Sequence, residues 1–140
     1  MGAISHSGEV ALAAVARKEK AAGIGLDIER IDETIPEDII KVVCTLREAD
    51  WVNNSKDRKL ERLLMVFSAK ESAFKAFSPI MNQFLTYFDA ELIWDEDASR
   101  FRGKLLTKVG PDYIEGYAFE VGCRRIDQYI FTFMSLPPLL

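Results

Sequence analysis

Absences narrow the field first. The 140-residue chain has one histidine and two cysteines, and Cys44 and Cys123 lie far apart with no Cys-x-x-Cys spacing. A zinc centre and a disulfide framework are not expected, and both thiols read as reduced cysteines of a cytoplasmic protein. Basic charge is not in excess: 18 Lys and Arg against 22 Asp and Glu leave a net charge of −4. That is the wrong sign for a phosphate-backbone footprint, so no nucleic-acid partner is expected. No apolar run approaches the roughly 18–20 residues of a membrane span. Met1 to Ser7 has neither the basic nor the apolar segment of a signal peptide. There is no internal repeat, no low-complexity linker, and no Gly-x-Ser-x-Gly elbow for a serine hydrolase. What the chain does have is 49% hydrophobic and 11% aromatic residues. That composition excludes disorder and suits a single domain, residues 1–140, with one core.

Local patterning gives the order of elements. Val10 to Ala16 is a short apolar run read as a strand, and Arg17, Lys18, Lys20 and Gly23 follow as a turn. Ile24 to Glu29 alternates with period two, which is the mark of a half-buried strand. Pro36-Glu37-Asp38 opens a short helix through Val43. Thr45 with Glu48 three residues on predicts a capping box and a second short helix. Asp57 to about Phe77 reads as the longest helix. Thr86–Trp94, Phe101–Thr107, Tyr117–Cys123 and Gln128–Met134 then alternate and are separated by turn signals. Strands, helices, then a run of antiparallel strands predict an α+β fold, with an antiparallel sheet packed on one long helix and shorter ones.

Three features carry chemistry. Alternation places Asp27 and Glu29 on the same face of their strand, about 7 Å apart. Two like charges so placed are either solvated at a sheet edge or joined by a cation, and oxygen ligands suit a hard divalent ion. Along the long helix Leu60, Leu64, Phe67, Phe74 and Phe77 form an apolar stripe that Glu71 interrupts. A carboxylate there is either paired with Lys75, four residues on, or metal-bound. The single histidine, His6, sits in Ser5-His6-Ser7-Gly8, where hydroxyl and imidazole donors suit a phosphate.

Taken together, Ile4-Ser5-His6-Ser7, then Gly25-Leu26-Asp27-Ile28-Glu29, then Phe67-Ser68-Ala69-Lys70-Glu71-Ser72-Ala73-Phe74-Lys75-Ala76 resemble the 4'-phosphopantetheinyl transferases. The likeness is to the larger, siderophore- and surfactin-synthetase-activating type, of which this chain resembles the second half, with the first half absent. The resemblance implies transfer of the phosphopantetheine arm of coenzyme A to a serine of an apo carrier protein, releasing 3',5'-ADP. It implies Mg²⁺ bound by Asp27, Glu29 and Glu71, and Lys70 and Lys75 as coenzyme A phosphate contacts. Lys75 and Glu48 are the implied catalytic pair, Glu48 as general base for the incoming serine, and Ser5 and His6 are implied to touch a coenzyme A phosphate. Phe67 stands where the family usually has Trp. The alternative activity is a non-catalytic module that binds coenzyme A or a carrier protein.

Two further expectations concern partners. Lys56, Arg58, Lys59 and Arg62 outweigh Asp57 and Glu61, a candidate basic patch for an acidic carrier protein or else a solubilising helix face. A half-size domain is also expected to expose an apolar face and to assemble as a homodimer or homotrimer.

Overall fold

The computed structural model describes residues 1–81 and 83–139. Among them the chain runs β1 (Gly2–Ser7), β2 (Val10–Val15), β3 (Gly23–Arg30), one 3-10 turn (Glu37–Ile39), α1 (Ile40–Val43), α2 (Leu46–Asn53), α3 (Lys59–Phe77), β4 (Ala90–Asp95), β5 (Arg100–Leu105), β6 (Ala118–Ile126) and β7 (Tyr129–Leu136). This is the expected α+β order. The five later-named strands form one antiparallel sheet, β3-β7-β6-β5-β4, and β1 and β2 form a separate hairpin. The predicted capping box is present: Thr45 accepts from the Glu48 amide, and the Glu48 carboxylate accepts from the Thr45 amide at 2.8 Å. One predicted strand begins late. Thr86 to Asp89 form a turn, with the Asp89 amide donating to the Thr86 carbonyl and the Thr86 amide to Asp89 Oδ2, so β4 starts only at Ala90.

The main core lies between α3 and the sheet, where Val66, Ala69, Ala73, Phe77, Val121 and Ile130 are all but inaccessible to solvent. Burying each larger aliphatic or aromatic side chain there contributes about 1.5–3 kcal/mol. Two glycines set how close the helix comes. A Cβ on Gly25 would stand 1.7 Å from the Ser72 carbonyl oxygen, and one on Gly23 would stand 1.9 Å from that of Ala76. Helix backbone thus rests on strand backbone, which only glycine permits.

That contact reverses the expected faces of β3. The alternation holds, but the face bearing Gly23, Gly25 and Asp27 is the one that meets α3. Leu26 and Ile28 are buried outside the main core, and β1 and β2 both contact β3. The carboxylates of β3 are therefore not on a solvated sheet edge.

The segment before the turn at Gly8 is a strand that periodicity did not predict, since Gly2, Ser5 and Ser7 are poor strand formers. Its pairing to β2 in the register Gly2↔Val15, Ile4↔Ala13 and His6↔Ala11 puts those six residues on one exposed face.

Candidate active site

β3 is one of the two edge strands of the sheet, and the edge it turns away from β7 carries main-chain groups that need partners. Two are supplied by the predicted site residues. Ser5 Oγ accepts from the Ile28 amide at 3.2 Å, and Lys75 Nζ donates to the Leu26 carbonyl at 2.8 Å. The same two side chains converge on Asp27: Ser5 Oγ donates to its Oδ1 at 3.3 Å, and Lys75 Nζ to the same oxygen at 3.1 Å. Asp27 is 4% exposed. Its second oxygen, Oδ2, is buried with no hydrogen-bond partner. A buried carboxyl oxygen without a partner is costly in a low-dielectric setting, and a cation is one partner that relieves it.

Glu29 follows two residues on. Burial, first, and then the neighbouring carboxylates of Asp27 and Glu71 push its carboxyl up to about 7, against a lowering pull from Lys75. The Glu29 carboxyl thus lies in the field of two others, Asp27 on β3 and Glu71 on α3. As placed, no three carboxylate, thiol or imidazole side chains among the described residues are grouped so that they could hold a metal ion. Orphaned Asp27 Oδ2 and an all-oxygen donor set nevertheless fit a hard divalent ion.

Glu71 is where the sequence stripe is corrected. Phe67, Glu71 and Phe74 do share a face of α3, but it is half-buried rather than the core face. Tyr87 covers it. The phenol donates to Glu71 Oε1 at 2.6 Å, and the ring packs on Phe67 and Phe74 at centroid distances of 5.9 and 5.5 Å. Burial, then this bond and the charge of Glu71, raise the Tyr87 hydroxyl above its ordinary pKa. Lys75 pairs with Asp27, not as the helix-face partner of Glu71.

The structure does not bring Glu48 and Lys70 to this cluster. Both side chains are 0% exposed and paired at 2.6 Å. Lys70 Nζ also donates to the carbonyls of Val43, at 2.8 Å, and Tyr87. Glu48 Oε1 accepts from the Thr45 amide and Oε2 from the Leu92 amide at 2.7 Å. A carboxylate with both oxygens engaged and no exposed surface offers nothing to an incoming serine, and a lysine with all three protons donated offers nothing to a phosphate. The roles of base and phosphate contact that the resemblance suggested for these two do not match their placement.

Strand alternation separates the other expected pair. Ser5 points inward to Asp27, whereas His6 lies on the exposed face of the β1–β2 hairpin. The basic patch is largely spent internally. Arg58 pairs with Glu61 at 3.0 Å, Lys59 with Glu37 at 3.4 Å, and Arg62 donates to the Trp51 carbonyl while stacking on its ring at 4.6 Å. Burial pushes both thiols up to about 12, which removes them as nucleophiles at neutral pH.

An edge strand carrying two carboxylates, braced by a helix that adds a third and a lysine, is the candidate functional site of the chain. A family model for the 4'-phosphopantetheinyl transferase superfamily matches residues 23–132, and the chain belongs to that superfamily. It is 35% identical over 133 residues to the 4'-phosphopantetheinyl transferase Svp of Streptomyces mobaraensis, covering 92% of this chain and 49% of that one. It is 32% identical to the 4'-phosphopantetheinyl transferase Npt of Nocardia iowensis, covering 74% of this chain and 46% of that one. The chain thus spans about half the length of the curated relatives it matches. Among solved structures, the holo-(acyl-carrier-protein) synthase of Bacillus anthracis in complex with CoA (3',5'-ADP) superposes with a TM-score of 0.63 at 16% identity, covering 86% of this chain and 99% of that one. That of Plasmodium yoelii gives a TM-score of 0.62 at 18% identity, covering 86% and 97%. At such identities these two likenesses speak to the fold alone. No helix among the described residues is long and apolar enough to cross a membrane.

Proposed function

We propose that residues 1–140 form one phosphopantetheinyl transferase domain, equivalent to the second half of the two-part enzymes. It moves the phosphopantetheine arm of coenzyme A onto a serine of an apo carrier protein in the cytoplasm. The observation that carries this reading is Asp27, whose buried Oδ2 lacks a partner while Lys75 and Ser5 hold Oδ1. Asp27, Glu29 and Glu71 would hold Mg²⁺. Held by these carboxylates, such an ion would supply neutralisation of pyrophosphate charge. Ser5 fixes the Asp27 carboxylate against β3. Lys75, one-third exposed and anchored on the Leu26 carbonyl, presents a cation to the phosphates, an electrostatic contribution that grows where water is excluded. His6, open to solvent, is the candidate for an outer phosphate contact.

The test is incubation with coenzyme A, Mg²⁺ and an apo carrier protein, read by intact mass. A phosphopantetheine adduct is expected, and Asp27→Ala or Glu71→Ala should abolish it with the circular dichroism spectrum unchanged. Full Mg²⁺-dependent transfer by Glu71→Gln would remove Glu71 from the site. Mg²⁺-dependent coenzyme A binding by calorimetry, with no transfer at any protein concentration, would favour a binding module instead.

Self-association as a dimer or trimer belongs to the same proposal. It is supported by the outer face of the β1–β2 hairpin, where Ile4 is 72% and Val15 86% exposed beside Ala11 and Ala13, and His6 is the one polar side chain. Light scattering that returned the mass of a single 15.9 kDa chain at micromolar concentration would refute it.

A further inference from the structure

We propose that Tyr87 is a positioning residue for Glu71, and that the sealed Lys70–Glu48 pair works at a distance by fixing Tyr87. The inference rests on the reading of Asp27, Glu29 and Glu71 as metal-binding carboxylates. Lys70 and Glu71 are consecutive on α3 and so point about 100° apart around the helix. Tyr87 touches both, by opposite ends: its carbonyl accepts from Lys70 Nζ, and its phenol donates to Glu71 Oε1.

Around Tyr87 the connection between α3 and β4 is tied by the local turn at Thr86–Asp89, by the Leu106 amide donating to the Asp89 carbonyl at 2.8 Å and by Gln83 Nε2 donating to the Lys108 carbonyl at 3.2 Å; Lys70 adds the tie at the Tyr87 main chain itself. An ammonium has three protons, and Lys70 places one on α1 at Val43, one on α2 at Glu48 and one on Tyr87. As a source of stability alone, a buried ion pair is replaceable by apolar side chains of the same volume. What the lysine adds is a fixed three-point junction. The ring of Tyr87 needs no hydroxyl to pack on Phe67 and Phe74, so the hydroxyl serves Glu71. A donor on one carboxylate oxygen selects the rotamer and leaves the other oxygen for the ion, which is how outer partners tune metal ligands.

The experiment titrates the full chain with Mn²⁺ and reads free Mn²⁺ by electron paramagnetic resonance, independently of transfer. Tyr87→Phe should keep the fold and weaken Mn²⁺ binding about tenfold. The combined Lys70→Met and Glu48→Gln variant removes both charges at nearly constant volume. It should weaken Mn²⁺ binding to a similar degree, and adding Tyr87→Phe to it should cost nothing more. Binding by Tyr87→Phe that equals the parent overturns the proposal, whether or not the combined variant folds. Additive losses overturn the link from the pair to Tyr87. Glu71→Gln run alongside separates the two levels: if it too binds Mn²⁺ normally, the metal reading fails with this one, and if it alone loses Mn²⁺, only the role of Tyr87 is lost.

Discussion

Two lysine–carboxylate pairs project from α3, and they have opposite characters. Lys70 and Glu48 meet at 2.6 Å with both side chains fully buried, whereas Lys75 and Asp27 meet at 3.1 Å with Lys75 32% exposed. In the first pair every proton and lone pair that matters is spent on main chain or partner. In the second, Asp27 keeps an oxygen in hand and Lys75 keeps access to solvent. Residue type does not separate structural charge from chemical charge in this chain. Saturation does: a fully satisfied pair holds elements together, and an under-satisfied one is available to a ligand.

The comparison is broken most forcefully at the saturated pair. Lys70→Ala leaves the Glu48 charge buried and unpaired and should lower stability by about 3–5 kcal/mol in urea unfolding, while Lys75→Ala, losing a partly solvated contact, should cost no more than about 1 kcal/mol and still eliminate transfer. Similar stability losses for the two would erase the distinction.

A smaller effect comes from pH. Glu29 is raised to about 7 from an ordinary value of 4.5. The folded state therefore holds a proton that the unfolded state has released between those values. Its contribution to stability is complete below about pH 4.5 and is lost as pH rises through 7. The metal-free protein should thus melt lower at pH 8 than at pH 6, and Glu29→Gln should flatten that dependence. Excess divalent ion should oppose the loss at pH 8, and a slope unchanged by Glu29→Gln would assign it to another group.

Smallest is a control outside both pairs. Tyr113 is fully buried, its hydroxyl has no partner, and its ring packs edge-on to Phe77 at 5.6 Å. If an orphaned oxygen matters only where a ligand can reach it, Tyr113→Phe should raise stability by about 1 kcal/mol and leave transfer untouched. A loss of activity would sharpen the comparison against us.

Much of this arrangement was legible in the residues. Asp27 and Glu29 were readable from period two, Glu71 from a broken helical stripe, and the Thr45–Glu48 cap from spacing alone. What misled was the side of β3 that faces inward. Gly25 has no hydrophobicity to announce burial, yet its missing side chain is what lets α3 sit on that face. Glu48 and Lys70 looked chemical because motif and charge do not report burial. Tyr87 was passed over inside a predicted strand. The available signal was the pair Phe67 and Phe74 flanking Glu71, a half-exposed aromatic clamp that calls for a third ring carrying a donor. The β1 strand escaped because its pairing is set by β2 and its Ser5 by Asp27, both nonlocal.

The glycine seat of α3 has a consequence for how this chain tolerates change. Side chains are compressible spacers, and a gap defined by them drifts whenever one is exchanged. Where main chain abuts main chain, the separation behaves like a machined stop. The offset between the carboxylates of β3 and that of Glu71 is gauged by Gly23 and Gly25 against the carbonyls of Ala76 and Ser72. Valine, leucine and isoleucine can then trade places elsewhere in the core without retuning the distance across the site.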